Sequence, residues 1–343
     1  MPVRLQKVTR LKDVADRAGV STATVSRVLN GLGPMSDEAR GRVLKASHAL
    51  DYHPNWLAKS LRGRRTNTIG LVVPDIENPF FTSLVKGVER AAGDRGWTVI
   101  LGNTDEDLGR EEALVCALAE RKVDGLLLCP VAGPHEYVAR HLERGLPMVA
   151  VNREVPDVSL AVVSTDNRRG GYEGLHHLFA RGLRRLALIL GTPGLSTTKG
   201  KLAGCRRAAR EFGLGPKDVI LKVGYGRLEA GHQAALEILD ASPRPEGIFA
   251  FNNLMAEGAL MAIRQRGVRC PEEIAVVGFD DFRSAAAMTP PLTVVEQDPI
   301  GMGQRAVDVL AQVIETGEAA QAITTIPVRL VHRASCGCLV AAS

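Results

Sequence analysis

The chain has 343 residues and a net charge of +5, 45% of its residues are hydrophobic, and its mean hydropathy is close to zero. This composition fits a folded protein of two or three compact units, and no run of about 18 apolar residues predicts a membrane span. The charge is uneven, because residues 1–65 hold 13 Lys and Arg against 5 Asp and Glu. The first residues lack the apolar block and cleavage site of a signal peptide, so we expect a cytoplasmic protein.

The basic segment carries the pattern of three short helices. Its first apolar residues recur at the spacing of one helix face, at Leu11, Val14, Ala15 and Ala18. Gly19 suits a helix end, Ser21 can cap a second helix, and a third helix follows Ser36. Two helices joined by so short a turn must cross steeply, as in a helix-turn-helix. We therefore predict an all-α helix-turn-helix headpiece that binds DNA, over residues 1–54.

The second predicted helix, STATVSRVLN, has two unlike sides. One side is apolar and suits a small core, and the other is polar and carries Thr22, Ala23 and Arg27. The second helix of a helix-turn-helix lies in the major groove of DNA. There Thr22 and Ala23 can contact thymine methyl groups, and Arg27 can bind guanine with two nitrogens. The alternative is that these residues are merely exposed on a solvated helix face.

A short basic linker, residues 55–65, separates the headpiece from the rest of the chain. It contains a narrow apolar stripe only two turns long, which is too short for a stable isolated helix in water. We expect this segment to be disordered alone and helical only when it is held. A plain basic linker is the alternative.

From Asn67 onward, buried apolar runs alternate with segments of helical period, which predicts doubly wound parallel sheets. The runs are TIGLVV, WTVIL, GLLLC, MVAV, LALIL, GIFAF and IAVVG. Residues 67–343 exceed what one such sheet needs. We therefore predict an α/β core of two lobes around a cleft.

Polar and aromatic residues follow these strands, at the sheet edge where ligands of doubly wound sheets bind. They are Asn78, Phe80 and Phe81 after the first strand, then Asn152, Arg153, Asn252, Asp280 and Gln297. Amides and carboxylates bind hydroxyl groups and aromatic rings cover apolar sugar faces, so the set predicts a small polyhydroxylated ligand. A core position for Phe80 and a turn or helix cap for Asn78 remain alternatives.

The motifs TRLKDVADRAGVSTATVSRVLNG, YHPNWLAKSLRGRRTNTIGLVVPDIENPFF and LVHRAS span nearly the whole chain. The sequence thereby resembles regulators of the lactose repressor and galactose repressor family. The resemblance implies a homodimeric transcription factor, usually a repressor, whose affinity for double-stranded operator DNA is controlled by a small effector. It also implies a core like that of periplasmic sugar-binding proteins, with lobe 1 over about 66–166 plus 297–326, and lobe 2 over about 167–296 plus 327–343.

The resemblance implies particular contacts with the operator. A leucine of the linker enters the minor groove in such proteins, and the matching residue is Leu61. Lys59 and Arg62 would meet phosphates. The full set of expected DNA-binding residues is Thr9, Ser21, Thr22, Ala23, Thr24, Ser26, Arg27, Asn30, Lys59, Leu61 and Arg62.

The resemblance adds Lys201 to the effector site, at a position where sugar-binding relatives usually carry arginine. Lysine offers a compact charge in place of a planar fork. Asn152 and Asn253 stand where many sugar-binding relatives have aspartate, so the pocket has lost acceptor charge. A modified sugar, a sugar phosphate, a nucleoside or a site without ligand binding therefore stay open beside a plain sugar.

Two other classes of protein are alternatives to a regulator. A sugar-binding transport protein would share the lobes, but the basic headpiece and the missing signal peptide argue against it. An enzyme such as a sugar kinase is disfavoured because GTPGLSTTKGKL departs from the spacing of a phosphate-binding loop and Leu202 stands where Ser or Thr should hold magnesium.

Metal and cofactor sites are not expected from the sequence. The six cysteines include no C-x-x-C pair or Cys/His set with zinc-ligand spacing, so they predict reduced thiols. Redox or metal chemistry at Cys336 and Cys338 is the alternative. His176 and His177 are expected to cover a helix face and not to bind metal.

Overall fold

The computed structural model describes residues 9–30, 35–52, 65–215, 218–317 and 322–338. The chain divides into two compact units, Met1–Thr66 and Asn67–Ser343. The headpiece belongs to the first unit, and the second unit is named here the core. None of the helices in the described residues has the length and apolar character that crossing a bilayer requires.

The headpiece consists of α1 (Leu11–Ala18), α2 (Thr22–Asn30) and α3 (Asp37–Ala49) around a small apolar centre. Val14, Val25 and Val43, one from each helix, are completely buried there. Gly19 ends α1 with a φ of 63°, a left-handed conformation that glycine adopts at little cost. The Ser36 hydroxyl caps α3 by accepting from the Ala39 amide at 3.4 Å.

The first sheet of the core defines lobe 1. Its strands are all parallel, in the order β11-β5-β4-β3-β1-β2. They span β1 (Thr68–Val73), β2 (Thr98–Asn103), β3 (Gly125–Leu128), β4 (Met148–Val151), β5 (Ala161–Thr165) and β11 (Ile323–Ile326). The helices of lobe 1 are α4 (Pro79–Asp94), α5 (Leu108–Glu120), α6 (Glu136–Glu143) and α11 (Pro299–Thr316).

The second sheet defines lobe 2, in the order β12-β10-β9-β8-β6-β7. Only β12 runs antiparallel to its neighbour β10 among the described strands. The strands are β6 (Leu186–Leu190), β7 (Val219–Val223), β8 (Gly247–Ala250), β9 (Ala275–Phe279), β10 (Thr293–Glu296) and β12 (Arg329–Val331). The helices are α7 (Asn167–Ala180), α8 (Ser196–Glu211), α9 (Leu228–Leu239) and α10 (Asn253–Gln265). A short 3-10 helix, Ala334–Cys336, follows β12.

The predicted fold class is confirmed: a three-helix headpiece precedes a two-lobed core of doubly wound, mostly parallel sheets. The chain passes between the sheets three times, after β5, after β10 and between β11 and β12. The seven apolar runs predicted as strands did not include β5, β7, β10, β11 or β12. Strand β7 lies at a sheet edge and is only partly buried, so its sequence VILKV lacks the continuous apolar run of a central strand.

Glycines allow α7 and α8 of lobe 2 to touch. A Cβ atom on Gly171 of α7 would lie 2.0 Å from the carbonyl oxygen of Lys201 in α8. A Cβ atom on Gly204 of α8 would lie 1.9 Å from the carbonyl oxygen of Arg168 in α7. Because both neighbours are backbone atoms, neither can move aside alone. This contact therefore sets the position of Lys201 relative to α7.

The substitution Gly171→Ala should lower the free energy of unfolding by about 1–3 kcal/mol, because the added methyl group forces the two helices apart. Gly93→Ala is the matched control, since a Cβ atom there meets nothing within 4 Å. It should leave stability unchanged or raise it by up to about 1 kcal/mol. Thermal denaturation of the two variants and the wild type measures both effects. Equal melting temperatures for Gly171→Ala and the wild type would contradict the close helix contact.

Candidate functional site

The outer face of α2 is the first candidate surface. Thr22, Ala23 and Arg27 are exposed, whereas Val25 and Val28 on the opposite side are buried in the headpiece. The apolar side therefore fixes the helix, and the short polar side faces outward with one long cation. Such a face can enter a groove of DNA to the depth that its small residues allow.

Three of the other headpiece residues expected at DNA, Thr9, Ser21 and Thr24, have structural partners. The Ser21 hydroxyl accepts from the Thr24 amide at 3.1 Å and so caps α2, and the Ser21 and Thr24 hydroxyls lie 2.9 Å apart. The Thr9 hydroxyl donates to the Leu50 carbonyl at 3.1 Å, which ties the start of α1 to the end of α3. Ser26 is half-buried on α2. Asn30 is the last residue of that helix.

The linker residues Lys59, Leu61 and Arg62 lie outside the described residues. Their expected phosphate contacts and the wedge role of Leu61 stay predictions.

The second candidate site is a cleft of about 560 Å³ between the carboxyl ends of the two sheets. All nine residues predicted to bind an effector line it: Asn78, Phe80, Phe81, Asn152, Arg153, Lys201, Asn252, Asp280 and Gln297. Lobe 1 supplies those that follow β1 and β4, and lobe 2 supplies those that follow β8, β9 and β10 together with Lys201 of α8. The cleft has the size at which proteins typically hold small ligands.

Lys201 is a buried cation in the cleft wall. Its Nζ donates to the Phe251 carbonyl at 2.8 Å and lies 3.6 Å from the centre of the Phe279 ring. Burial lowers the pKa of Lys201 to about 8, attraction by Asp280 opposes this shift, and repulsion by Arg153 adds to it. An ammonium group has three donors. Lys201 therefore retains donors beyond the one that holds Phe251.

Asp280 and Gln297 form a second buried polar group. The Gln297 amide donates to the Asp280 carboxylate, and the Gln297 oxygen accepts from the Thr165 hydroxyl. Burial raises the pKa of Asp280, and the charge of Lys201 together with hydrogen bonds from Gln297 and from the Asn253 backbone counteracts that shift. Since a carboxylate has two oxygens, Asp280 can still accept from a hydroxyl group in the cleft.

Arg153 is paired within lobe 1. It donates to both carboxylate oxygens of Glu106 at 3.0 Å and 2.7 Å and to the Pro130 carbonyl at 3.0 Å. Burial opposes its charge, but the charge and hydrogen bonds of Glu106 outweigh this and raise the pKa of Arg153. Its guanidinium also lies 5.8 Å from the centre of the Phe81 ring. Arg153 is thus held rigidly at the cleft wall.

Asn78 and Asn252 both cap helices. The Asn78 side chain accepts from the Phe80 amide at 2.9 Å, and the Asn252 side chain accepts from the Met255 amide at 2.8 Å. Asn78 thus fulfils the capping role that was one of its two expected roles. Phe80 and Phe81 are each 4% exposed and contribute to the core of lobe 1 while bordering the cleft.

A few hydrogen bonds join the lobes across the cleft. The Asn253 amide donates to Asn78 Oδ1 at 3.0 Å, and the Glu154 amide donates to Ser196 Oγ at 3.0 Å. Asn253 is nearly completely buried, so the hydrogen bond from its side-chain amide to the opposite lobe is shielded from water. An aspartate at this position would have no amide hydrogen to donate.

Several cleft residues adopt a left-handed backbone conformation. The φ angles are 65° at Asn152, 71° at Asp280, 54° at Asp105, 60° at Glu106 and 53° at Tyr225. Such conformations cost free energy in residues other than glycine and concentrate at functional sites. Their recurrence around one cleft supports a binding role for it.

Several cleft-lining residues at other strand ends were not predicted from the sequence. Asp105 and Glu106 follow β2, and Tyr225 and Arg227 follow β7. The same rule of strand ends would have found Asp105 and Glu106, because WTVIL was recognised as a strand. Tyr225 and Arg227 were missed because β7 was not recognised.

These two sites define a DNA-binding protein with a ligand-binding, two-lobed core. The family model described as bacterial regulatory proteins, lacI family, matches residues 10–55, and the model described as periplasmic binding proteins and sugar binding domain of LacI family matches residues 66–334. The chain belongs to the LacI family and is a DNA-binding transcriptional regulator, not an enzyme.

Two curated relatives illustrate the similarity. The chain is 35% identical to the transcriptional regulator DegA of Bacillus subtilis over 298 residues, 86% of this chain and 88% of DegA. It is 35% identical to the transcriptional repressor PurR of Edwardsiella ictaluri over 329 residues, 95% of this chain and 96% of PurR.

Solved structures agree with this assignment. The Lac repressor dimer bound to operator and the anti-inducer ONPF is 27% identical with a TM-score of 0.84, over 96% of this chain and 99% of that one. The transcriptional regulator CelR in complex with cellobiose is 32% identical with a TM-score of 0.72, over 95% of this chain and 99% of that one.

The charge of Lys201 generates a pH-dependent prediction. If the ammonium binds the effector, affinity is present below its pKa of about 8 and is lost as the pH rises through that value. One unit above the pKa, the affinity of the wild type should be about tenfold lower. Lys201→Arg should show no such fall, because arginine stays charged. Calorimetric titration at several pH values, with a ligand found by thermal-shift screening, measures this. Parallel profiles for the two proteins would exclude Lys201 as a charged contact.

Proposed function

We propose that this protein represses transcription by binding an operator as a homodimer, and that a neutral, hydroxyl-rich ligand in the cleft controls its affinity for DNA. The observation that carries this proposal is that one chain has both features. Thr22, Ala23 and Arg27 form an exposed face on α2, and the core has a cleft lined by buried polar groups. A protein that binds the chromosome acts in the cytoplasm.

The headpiece face supports sequence reading in the major groove. Arg27 projects from the exposed side of α2, one turn beyond Thr22 and Ala23. An arginine can bind guanine O6 and N7 together, and a small apolar group can pack on a thymine methyl group. We infer that these three residues contact bases and that Thr9, Ser21, Thr24, Ser26 and Asn30 position the helix on the backbone.

A homodimer is expected because a helix-turn-helix dimer binds two half-sites about one helical turn apart. The Lac repressor structure named above is a dimer bound to operator. In such an arrangement, the linkers with Lys59, Leu61 and Arg62 meet at the centre of the operator, where Leu61 would enter the minor groove.

The charge of the cleft supports a neutral effector. Six acidic residues line it, against the three basic residues Arg153, Lys201 and Arg227. The acidic residues are Asp75, Glu77, Asp105, Glu106, Glu229 and Asp280. Because Arg153 is already neutralised by Glu106, a phosphate group would meet a net acidic wall. We therefore disfavour a sugar phosphate among the effectors that the sequence left open.

A sugar is the effector class that best fits the remaining groups. Hydrogen-bond acceptors and donors line the cleft at Asp280, Gln297 and Lys201. The aromatic rings of Phe80 and Phe81 border the cleft on the side of lobe 1. The related regulator CelR is solved with cellobiose. A nucleoside is the second candidate, because its ribose has the same hydroxyl groups and its base can pack on an aromatic ring.

The substitution Arg27→Ala tests the DNA-binding proposal. An operator is first selected from a randomised pool of duplexes with the full-length protein. Loss of a two-nitrogen guanine contact should weaken operator binding by about 1–3 kcal/mol and change binding to random DNA little. Fluorescence anisotropy titrations at one fixed salt concentration measure both affinities.

Arg40→Ala is the control for this experiment. Arg40 is an exposed cation of the same headpiece, but it lies on α3 and not on α2, which carries the proposed reading face. Any loss that it causes should be equal on operator and random DNA, as for a phosphate contact. Equal losses for Arg27→Ala would make Arg27 a phosphate contact, and a pool without a preferred sequence would refute the proposed function.

A further inference from the structure

Two histidines and two cysteines from distant parts of the sequence meet at the surface of lobe 2. His177 lies on α7, His332 follows β12 directly, and Cys336 and Cys338 lie in the turn after it. One ligand atom from each residue, an imidazole nitrogen or a sulfur, lies within 4.8 Å of all the others. We name these four residues the Cys–His cluster. It is separate from the cleft, which none of its members lines.

The separations within the Cys–His cluster are close to those of a tetrahedral metal site. Cys338 Sγ lies 3.6 Å from His177 Nε2, and the rings of His177 and His332 have their centres 4.8 Å apart. Bonds of about 2.3 Å to sulfur and about 2.0 Å to nitrogen place the ligand atoms of a tetrahedral zinc ion roughly 3.3–3.8 Å apart. Small rotations about side-chain bonds would close the remaining distance.

The chain that carries the two cysteines is fixed to lobe 2 by neighbouring hydrogen bonds. The Ser335 hydroxyl donates to the Val276 carbonyl at 2.7 Å and accepts from the Thr293 amide at 2.8 Å. Arg333 donates to both carboxylate oxygens of Asp281 at 2.9 Å and 2.6 Å. Gly337, with a φ of 74°, then reverses the chain between Cys336 and Cys338. The cluster is therefore preorganised and does not depend on a free tail.

We propose that His177, His332, Cys336 and Cys338 form a metal site that binds a thiophilic divalent cation of the zinc class. Thiolate and imidazole ligands in a set of four are the donors of a closed structural zinc site. Two thiolates neutralise the charge of a divalent ion. The bound ion would therefore not repel the Arg181 side chain, which lies against Gly337. The site departs from the expectation that His177 only covers a helix face.

The bound ion would join the segment after β12 to α7. Since α7 begins directly after the crossover from β5, the site stabilises lobe 2 next to a segment that links the lobes. Exposure of His332 gives the ion a route from solvent. A ligand that binds only the folded state raises the melting temperature by mass action.

Cobalt(II) is the probe that tests the site. The reduced full-length protein, stripped with chelator, should bind one equivalent of Co²⁺ with the visible absorption of tetrahedral thiolate coordination. Zn²⁺ should remove this absorption and raise the melting temperature. Cys338→Ser and His332→Asn should lose both responses, and because His332 is exposed its variant should keep the wild-type fold.

Cys116→Ser is the matched control. Cys116 also lies near a histidine, with Sγ 3.5 Å from His141 Nε2. Among the described residues, however, this pair belongs to no group of three or more potential metal ligands. The variant should keep the cobalt spectrum and the zinc response. Absence of the spectrum in the wild type, or its full retention in Cys338→Ser and His332→Asn, would overturn the proposal. Loss of two thiols on mild oxidation without any cobalt spectrum would identify a redox pair in its place.

Discussion

In both lobes, neighbouring strands run parallel, except at β12, and so nearly all strands end at the same edge of their sheet. The two edges face each other, and the loops that leave them form the cleft. Asn152 and Asp280 are the first residues after β4 and β9, and both adopt left-handed backbone conformations at this edge. The buried strands behind them supply the apolar contacts that offset the cost of this strain. Parallel strand direction thus decides where the polar groups of the cleft lie.

The buried charges of the cleft are satisfied mainly within one lobe. Arg153 is bound by Glu106 in lobe 1, and Lys201 is held by the Phe251 carbonyl and the Phe279 ring in lobe 2. By contrast, the hydrogen bonds that cross the cleft are few, such as that from Asn253 to Asn78. Few hydrogen bonds therefore fix one lobe on the other. A ligand that contacts both walls can shift their arrangement by its differential affinity for the two states.

The sequence predicted the parts of this structure that depend on local pattern. Helical spacing and the capping residues Gly19 and Ser36 predicted the helices of the headpiece. The position of residues after strand ends predicted that Asn78 and Asp280, which are distant in the sequence, line one cleft. Contacts that depend on tertiary packing were not predictable from spacing. The bond between Asn78 and Asn253 and the meeting of His177 with Cys338 join residues more than 150 positions apart. Strand β7 was not predicted because it is only partly buried and so lacks a continuous apolar run.

Coupling between the cleft and the headpiece is the central claim. By thermodynamic linkage, a ligand that changes operator affinity by some factor must have its own affinity changed by operator to the same extent, typically about 5- to 150-fold. The direct measurement is a pair of titrations on the full-length protein: operator binding with and without saturating effector, and effector binding with and without saturating operator. The account predicts two equal factors clearly different from one. A ligand that binds in the cleft and leaves operator affinity unchanged would contradict it.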